Sequence, residues 1–213
     1  IAVKYGHLKI IKWLHKNGYK TSDNLIDTAS SEGHYRIIKW LHKNNYNWTQ
    51  WAFDSAAGNN HFKIMKFLHK NKYEGSSNAL DFAAQYNHLN IVKWLYYHSY
   101  RGSANAFIYS AEFGNFEILK WLHEKKHLGN EDAVDYSAKN GHFNILRWLH
   151  ENGYRGSTDA FDYAALSGHF KILKWLYENG YRGTDNAFQY AAENHHLKIL
   201  RWLDKTFPIN ISE

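Results

Sequence analysis

Cysteine is absent from the 213 residues, which excludes a disulfide framework, a thiolate metal site and a cysteine nucleophile together. Long apolar runs are also absent: Lys, His or Asn interrupts each one, and none approaches the roughly 20 residues that a membrane helix needs. We therefore predict no transmembrane segment. Proline occurs only at Pro208, where a helix cannot continue, and we expect the regular pattern of the chain to end there.

The short motifs of common enzyme classes are missing as well. The sequence has no G-x-S-x-G nucleophile elbow, no glycine loop of the phosphate-binding type and no H-E-x-x-H zinc motif. The sequence therefore contains none of these motifs for nucleophilic catalysis, phosphate binding or metal-assisted hydrolysis. We predict a protein without enzymatic activity, cofactor or small-molecule substrate.

Apolar side chains are plentiful, and positive charge is concentrated at one end of the chain. Apolar residues make up 44% and aromatic residues 17%, which suffices for a core and argues against disorder. Residues 1–72 hold twelve Lys/Arg and four Asp/Glu, whereas residues 73–213 hold fourteen and sixteen. The whole excess behind the net charge of +6 thus lies in the first third.

An aromatic residue recurs every 27 residues from Trp13 to Trp202, and this period predicts the fold. In seven of the eight resulting repeats a histidine stands six positions ahead of the aromatic residue, and Asn115 is the exception. No insertion interrupts the series, so we predict a single repeat array over residues 1–213 without a linker. The approximate repeats are 1–23, 24–50, 51–77, 78–104, 105–131, 132–158, 159–185 and 186–213.

Each repeat predicts two short helices, as residues 159–185 illustrate. We expect Asp159 to cap the first helix and Asp162 to reach back to it, in the manner of a capping box. Gly168 supplies the left-handed residue that ends this helix, and apolar residues at near-helical spacing then mark a second helix, which Gly180 follows. The equivalent carboxylates, which we assign to capping and not to acid–base catalysis, are Asp27, Asp54, Asp81 and Asp135.

The run A-A-L-S-G-H-F-K-I-L-K-W-L, residues 164–176, resembles the A-A-x-x-G-H-x-x-V-V-K-L-L core of the ankyrin repeat. It recurs in all eight repeats, so the resemblance covers nearly the whole chain. It implies an all-α solenoid of about eight stacked helix-turn-helix repeats. A period of 27 instead of about 33 residues leaves no room for the β-hairpin finger of the family.

The composition and the start of the chain give further expectations about the protein. The Lys-, Asn-, Tyr- and Ile-rich sequence resembles the divergent ankyrin arrays of giant amoeba-infecting viruses and some protists. The chain starts in the middle of a repeat at Ile1, so we expect the N-terminus to be truncated. From the resemblance we also expect an intracellular, cytoplasmic protein, in the host cell if the protein is viral.

The fifteen histidines invite a metal interpretation, but twelve of them fall into two columns of the repeat. A metal site needs three or four ligands that converge on one point, and columns about 9–10 Å apart do not converge in this way. We therefore favour structural hydrogen bonds and predict no metal site. The column from Trp13 to Trp202 is assigned to core packing between repeats, in preference to base stacking.

A second column of aromatic residues lies on the first helices, at the position that faces the concave groove in the ankyrin family. These side chains either pack on the neighbouring repeat or anchor a partner, because tyrosine offers contact area and a hydroxyl at low entropic cost. Beside them, two positions differ from repeat to repeat, which indicates a recognition surface or drift on a solvated face. The predicted partner-binding residues are Phe82, Tyr109, Tyr136, Tyr163, Tyr190, Gln85, Tyr86, Glu112 and Phe113.

Positive side chains on the second helices of the first three repeats follow i, i+3, i+7 spacing, which places them on one side of each helix. They form either a solvated face or a surface for nucleic acid, an acidic protein or an anionic membrane. No arginine cluster with interleaved aromatic residues supports sequence-specific nucleic-acid recognition. We call these residues the basic plate: Lys9, Lys12, Lys16, Arg36, Lys39, Lys43, Lys63, Lys66 and Lys70.

The function that the resemblance implies is a protein–protein interaction scaffold, which binds a macromolecular partner on the concave face of the first helices. The alternative is an anion-binding module that uses the basic plate. A third possibility is a spacer whose activity resides in a further N-terminal part of the protein.

Overall fold

The computed structural model describes residues 1–19 and 24–207, which contain fifteen α-helices and no β-strand. In chain order these helices are α1 Leu8–Lys16, α2 Leu25–Ser31, α3 Tyr35–Lys43, α4 Gln50–Gly58, α5 Phe62–Lys70, α6 Asn78–Gln85, α7 Leu89–Tyr97, α8 Asn105–Glu112, α9 Phe116–Glu124, α10 Asp132–Lys139, α11 Phe143–Glu151, α12 Asp159–Leu166, α13 Phe170–Glu178, α14 Asn186–Glu193 and α15 Leu197–Thr206.

Helices with even numbers are the first helices of the repeats, and helices with odd numbers are the second helices. The prediction of an all-α fold built from helix pairs, without hairpin fingers in the described residues, is therefore confirmed. Pro208, where we expected the pattern to end, lies outside the described residues. So do parts of the first and last predicted repeats.

The chain divides into two compact units, an N-terminal unit, Ile1–Ala106, and a C-terminal unit, Phe107–Glu213. In the N-terminal unit α2, α4 and α6 pack in succession, and in the C-terminal unit α10, α12 and α14 do the same. Each second helix from α3 to α7 and from α11 to α15 packs against the first helix of its own repeat. Within each unit the repeats thus form two layers, one of first helices and one of second helices.

The core of each repeat consists of aliphatic side chains from the second helix and small or aromatic side chains from the first. Leu173 and Leu176 of α13 are fully buried, as are Ala164 and Ala165 of α12. The small alanines let neighbouring first helices approach closely. Burial of a leucine stabilises the fold by roughly 1.5–3 kcal/mol, so this stripe is the main source of stability of the repeat.

The column of tryptophans packs between repeats, as predicted, but it lies at the edge of this core and not inside it. Trp175 is only half-buried, and its ring contacts Phe143 and His150 of the preceding repeat, with centroid distances of 5.9 and 5.2 Å. Trp13 is 56% exposed. The position lies beside the buried Leu173–Leu176 stripe of the helix, so the indole covers the junction between repeats instead of filling the interior.

The turn between the two helices requires a left-handed residue. Gly168 has φ +76°, and the next amide, that of His169, donates to the carbonyl of Ala164 at 2.9 Å, which closes α12. His195 occupies the same place with φ +58°, as Asn60 does with φ +60°. His195 is neither Gly nor Asn, yet the backbone keeps the left-handed conformation there because the same hydrogen bonds hold the turn.

A second constraint acts on the glycine of this turn, because the imidazole of the next repeat lies directly on it. A Cβ atom at Gly141 would lie 2.8 Å from Cε1 of His169, and one at Gly168 would lie 2.6 Å from Cε1 of His196. Gly153, which ends the second helix of the same repeat as Gly141, has φ +87° but no atom within 4 Å of an added Cβ. A substitution at Gly153 therefore tests the left-handed conformation alone, whereas one at Gly141 also tests the close contact with His169.

We predict that Gly141→Ala destabilises the protein more than Gly153→Ala. The left-handed conformation costs an alanine roughly 1–2 kcal/mol at either position. At Gly141 the overlap with His169 adds about 1–3 kcal/mol, in line with overpacked cores. Guanidinium unfolding followed by circular dichroism measures both, and equal losses for the two variants would contradict the steric role.

Candidate functional site

The aspartate that recurs on the first helix bonds the connector that leads from its repeat to the next. Asp162 is 1% exposed; its Oδ1 accepts the amide of Thr184 at 2.9 Å and its Oδ2 accepts the hydroxyl of Thr184 at 2.7 Å. Thr184 Oγ1 in turn accepts the amide of Asn186, at the start of α14, at 3.2 Å. The same arrangement, which we call the aspartate latch, joins Asp27 to Thr49, Asp54 to Ser76, Asp81 to Ser103 and Asp135 to Ser157.

This arrangement shows that the capping role assigned to the aspartates is wrong. Asp162 bonds the next connector and not the start of its own helix. The amide of Asp159 donates to Ser157 Oγ at 3.0 Å, so the connector hydroxyl performs the capping. Two carboxylates three residues apart fit a capping box equally well, and only the position of the connector decides between the two roles.

Both partners of the latch are replaced together in one repeat of the C-terminal unit. Ile108 takes the place of the aspartate and is buried, 5% exposed. Asn130 takes the place of the connector hydroxyl, and its Oδ1 accepts the amide of Asp132 at 3.2 Å. Asn130 thus still caps α10. Because the apolar Ile108 replaces the carboxylate, the loss of the connector hydroxyl leaves no buried acceptor without a donor.

The two histidine columns make hydrogen bonds between repeats, as predicted. In the first column, His142 Nε2 donates to the carbonyl oxygen of Glu112 at 2.9 Å. In the second, His150 Nδ1 shares a hydrogen bond of 3.1 Å with the hydroxyl of Tyr181. Burial lowers the pKa of His150, which favours the neutral imidazole. Across the described residues, no group of three or more His, Asp or Glu is arranged to hold a metal ion.

In the C-terminal unit the first helices carry a series of half-buried tyrosines, Tyr109, Tyr136, Tyr163 and Tyr190, which we call the tyrosine ladder. The rings of Tyr136 and Tyr163 are nearly parallel, at 7°, with centroids 6.3 Å apart. Lys139 Nζ lies 5.8 Å from the first centroid and 5.0 Å from the second. Tyr136 and Tyr163 therefore contact each other across neighbouring repeats and still keep part of their surface exposed.

Carboxylates surround the ladder. Burial is the main cause that raises the pKa of Tyr163, and the negative charge of Asp159 raises it further. Burial and the charge of Asp132 raise the pKa of Tyr136 in the same way. Both hydroxyls consequently remain protonated donors at neutral pH. Among the varied positions beside the ladder, Glu112 is half-buried and Phe113 is 47% exposed.

The N-terminal unit carries an aromatic cluster on its first helices. Trp51 at the start of α4 is 49% exposed, and its ring meets that of Phe82 edge to face with centroids 5.9 Å apart. Tyr86, which follows α6, is 55% exposed, and Gln85 beside it is half-buried. A Cβ atom at Gly58 would lie only 3.0 Å from Cβ of Phe82, so the glycine lets the aromatic residue rest on α4.

Trp51 was missed by the sequence analysis, although a signal for it was present. Trp48 and Trp51 are the two of the nine tryptophans that fall outside the 27-residue column. An aromatic residue that departs from a regular repeat is a candidate for a role specific to that repeat. The structure places Trp51 in contact with the predicted residue Phe82.

The basic plate lies on α1, α3 and α5 of the N-terminal unit, and all nine of its side chains are exposed. Neither of the two ion pairs found in the described part of the chain involves it. Lys63 Nζ lies 4.5 Å from the ring centroid of Tyr35. A groove of about 690 Å³ between α1 and α3 is lined by Lys9, Lys12 and Arg36. The plate is thus a continuous, uncompensated positive surface.

Comparison with protein families agrees with this geometry. A family model described as ankyrin repeats (3 copies) matches residues 25–106, 80–158 and 107–187, and one described as ankyrin repeats (many copies) matches residues 1–42. No curated protein matches the chain significantly. None of the helices in the described residues is long and apolar enough to cross a lipid bilayer.

The latch of Asp135 predicts an unusual dependence of stability on pH. Burial raises the pKa of Asp135 to about 6, against the hydrogen bonds from Ser157, which lower it. The native state therefore holds a proton that the unfolded chain has already released between about pH 4 and pH 6, and the free energy of unfolding decreases as pH rises through this window.

We expect the stability of the wild type relative to Asp135→Asn to fall by up to about 3 kcal/mol between about pH 4 and about pH 7.5. Urea unfolding at a series of pH values measures this difference. Asp185→Asn, which removes an exposed carboxylate of the same unit, serves as the control. A wild type and an Asp135→Asn variant with parallel pH profiles would rule out protonation of the latch.

Proposed function

Because the chain belongs to the ankyrin repeat family, we propose that it is a scaffold that binds a protein partner through its first helices. Ankyrin repeats are generally protein–protein interaction modules, and ankyrin repeat proteins are typically non-enzymatic scaffolds. The observation that carries the proposal is the partial exposure of aromatic side chains at one first-helix position in successive repeats. Phe82, Tyr136 and Tyr163 represent this position in the two units.

The exposure of neighbouring side chains supports the same surface. Trp51, Tyr86 and Phe113 are 49%, 55% and 47% exposed, although residues of this size are mostly buried in folded proteins. Exposed aromatic patches are typical of interaction sites, where tyrosine and tryptophan contribute most of the binding energy. The varied positions beside them, such as Gln85 and Glu112, would then select the partner.

The test is affinity capture from cell lysate at high salt, with the wild type and Tyr136→Ala/Tyr163→Ala compared. We expect a captured protein whose affinity for the double variant is at least about 30-fold lower, as for hot-spot residues. Tyr97→Ala, which removes an exposed tyrosine from the second helix α7, controls for general loss of aromatic surface. Circular dichroism establishes that each variant is folded.

A partner that binds Tyr136→Ala/Tyr163→Ala as tightly as the wild type would overturn the assignment of the ladder. Trp51→Ala/Tyr86→Ala then asks the same question of the aromatic cluster in the N-terminal unit. If neither pair of substitutions weakens binding, the first helices are not the binding surface.

The basic plate favours a second function, the binding of a polyanion by the N-terminal unit. Its nine exposed cations have no ion pair within the described residues, and three of them line the groove between α1 and α3. Binding through such a surface releases counterions, so its affinity falls steeply as salt concentration increases. The salt dependence distinguishes the two functions, because binding through the aromatic surfaces rests on apolar contacts and changes little with salt concentration.

Titration with a fluorescent single-stranded oligonucleotide and with polyglutamate tests the second function. We expect Lys9→Glu/Lys12→Glu to abolish binding at low salt, and Lys171→Glu/Lys174→Glu, the same positions on α13, to leave most of it. Equal losses in both variants would mean that only the net charge of the chain matters, and absence of binding by the wild type would refute the function.

A further inference from the structure

We infer that the tyrosine ladder of the C-terminal unit binds a basic, arginine-containing segment of the partner. This inference rests on the proposed function and adds the chemistry of the partner to it. Three features of the ladder carry the argument: its cation-binding geometry, the charge of the helices that bear it, and the carboxylate that accompanies the tyrosine in two successive repeats.

Lys139 shows that two neighbouring rings of the ladder accept a cation. Its Nζ lies 5.0 Å from the ring centroid of Tyr163 and 5.8 Å from that of Tyr136, within the range of cation–π contacts. The two rings are nearly parallel, with centroids 6.3 Å apart, so they present similarly oriented faces along the stack of α10 and α12. A cation from a partner would bind to the same ring faces that Lys139 Nζ already contacts.

The charge of the first helices in this unit selects a positive partner. Lys139 is the only Lys or Arg on the C-terminal unit's part of α8 and on α10, α12 and α14. The connector residues Arg155 and Arg182 donate to the carbonyl oxygens of Tyr154 and Tyr181, so their guanidinium groups are held at the connectors. The carboxylates of these helices and their N-caps, apart from the buried latches, are Glu112, Glu131, Asp132, Asp159, Asp185 and Glu193.

The repeat places a carboxylate one helical turn before the tyrosine in two successive repeats. Asp132 precedes Tyr136 and Asp159 precedes Tyr163, each by four residues, so each pair lies on one side of its helix. The carboxylate of Asp159 lies close enough to Tyr163 to raise the pKa of its hydroxyl. A guanidinium group stacks on an aromatic ring and pairs with a carboxylate at the same time, whereas an ammonium group has no plane to stack. The pairs therefore fit arginine better than lysine.

The experiment measures the affinity of a fluorescent nona-arginine peptide by anisotropy at physiological salt, with nona-lysine and nona-glutamate peptides for comparison. We expect nona-arginine to bind several-fold more tightly than nona-lysine, and nona-glutamate not to bind. Asp132→Asn/Asp159→Asn should weaken nona-arginine binding at least tenfold. The matched control is Glu151→Gln/Glu178→Gln, which removes two exposed carboxylates from second helices of the same unit and should change the affinity less than twofold.

Lys139 supplies a second, independent readout. Because it competes for the two rings, Lys139→Ala should bind nona-arginine several-fold more tightly than the wild type, while Lys174→Ala on the second helix α13 should not. Equal weakening by the two carboxylate pairs, or weaker binding by Lys139→Ala, would overturn the inference. All variants are checked for wild-type circular dichroism.

The outcomes also separate this inference from the proposed function. A captured protein that depends on Tyr136 and Tyr163 but is unaffected by Asp132→Asn/Asp159→Asn would leave the scaffold intact and refute a basic partner segment. Nona-arginine binding that depends on both carboxylates, together with capture that does not depend on the tyrosines, would refute the scaffold assignment of the ladder and retain its cation chemistry.

Discussion

In the repeats that carry it, the bond between the buried aspartate and the hydroxyl of the connector to the next repeat fixes the register of the stack. A helix pair of 27 residues cannot bury its apolar face alone, so each repeat is stable only against its neighbours. Apolar packing of alanine and leucine tolerates small shifts, whereas the two bonds from Thr184 to Asp162 fix the connector in one place. The hydroxyl that makes this bond also starts the next helix, so one side chain couples local structure to stacking.

The other contacts between repeats recur at the same offset, including in the repeat where Ile108 and Asn130 replace the latch. The imidazole of His169 lies on Gly141 only because the two repeats stand at one fixed offset. The half-buried tryptophans then cover the junction on the layer of second helices. With stability supplied by these contacts, the exposed faces of the first helices are free to vary, and the residues beside the tyrosine ladder differ from repeat to repeat.

The two units use this free surface differently. The basic plate on α1, α3 and α5 of the N-terminal unit makes no ion pair within the described residues, and the first helices of this unit carry the cluster of Trp51, Phe82 and Tyr86. The first helices of the C-terminal unit carry tyrosines among carboxylates, with Lys139 as their single cation. The same repeat thus carries a basic surface in one unit and a surface of tyrosines and carboxylates in the other, because the residues that hold the fold stay constant while the surface residues change.

The sequence by itself determined the period, the helix pairs, the left-handed turns, the Ala–Leu core and the ankyrin family, because each follows from a local pattern repeated eight times. Tertiary structure decided the roles of Asp162 and Trp175 and revealed Trp51 as part of the aromatic cluster. The carboxylate spacing fits a capping box and a latch equally well. A tryptophan at helical spacing fits a buried core position and a half-buried position between repeats equally well. Which alternative holds depends on the residue that the fold places against the side chain, and that residue is 22 or more positions away in the sequence.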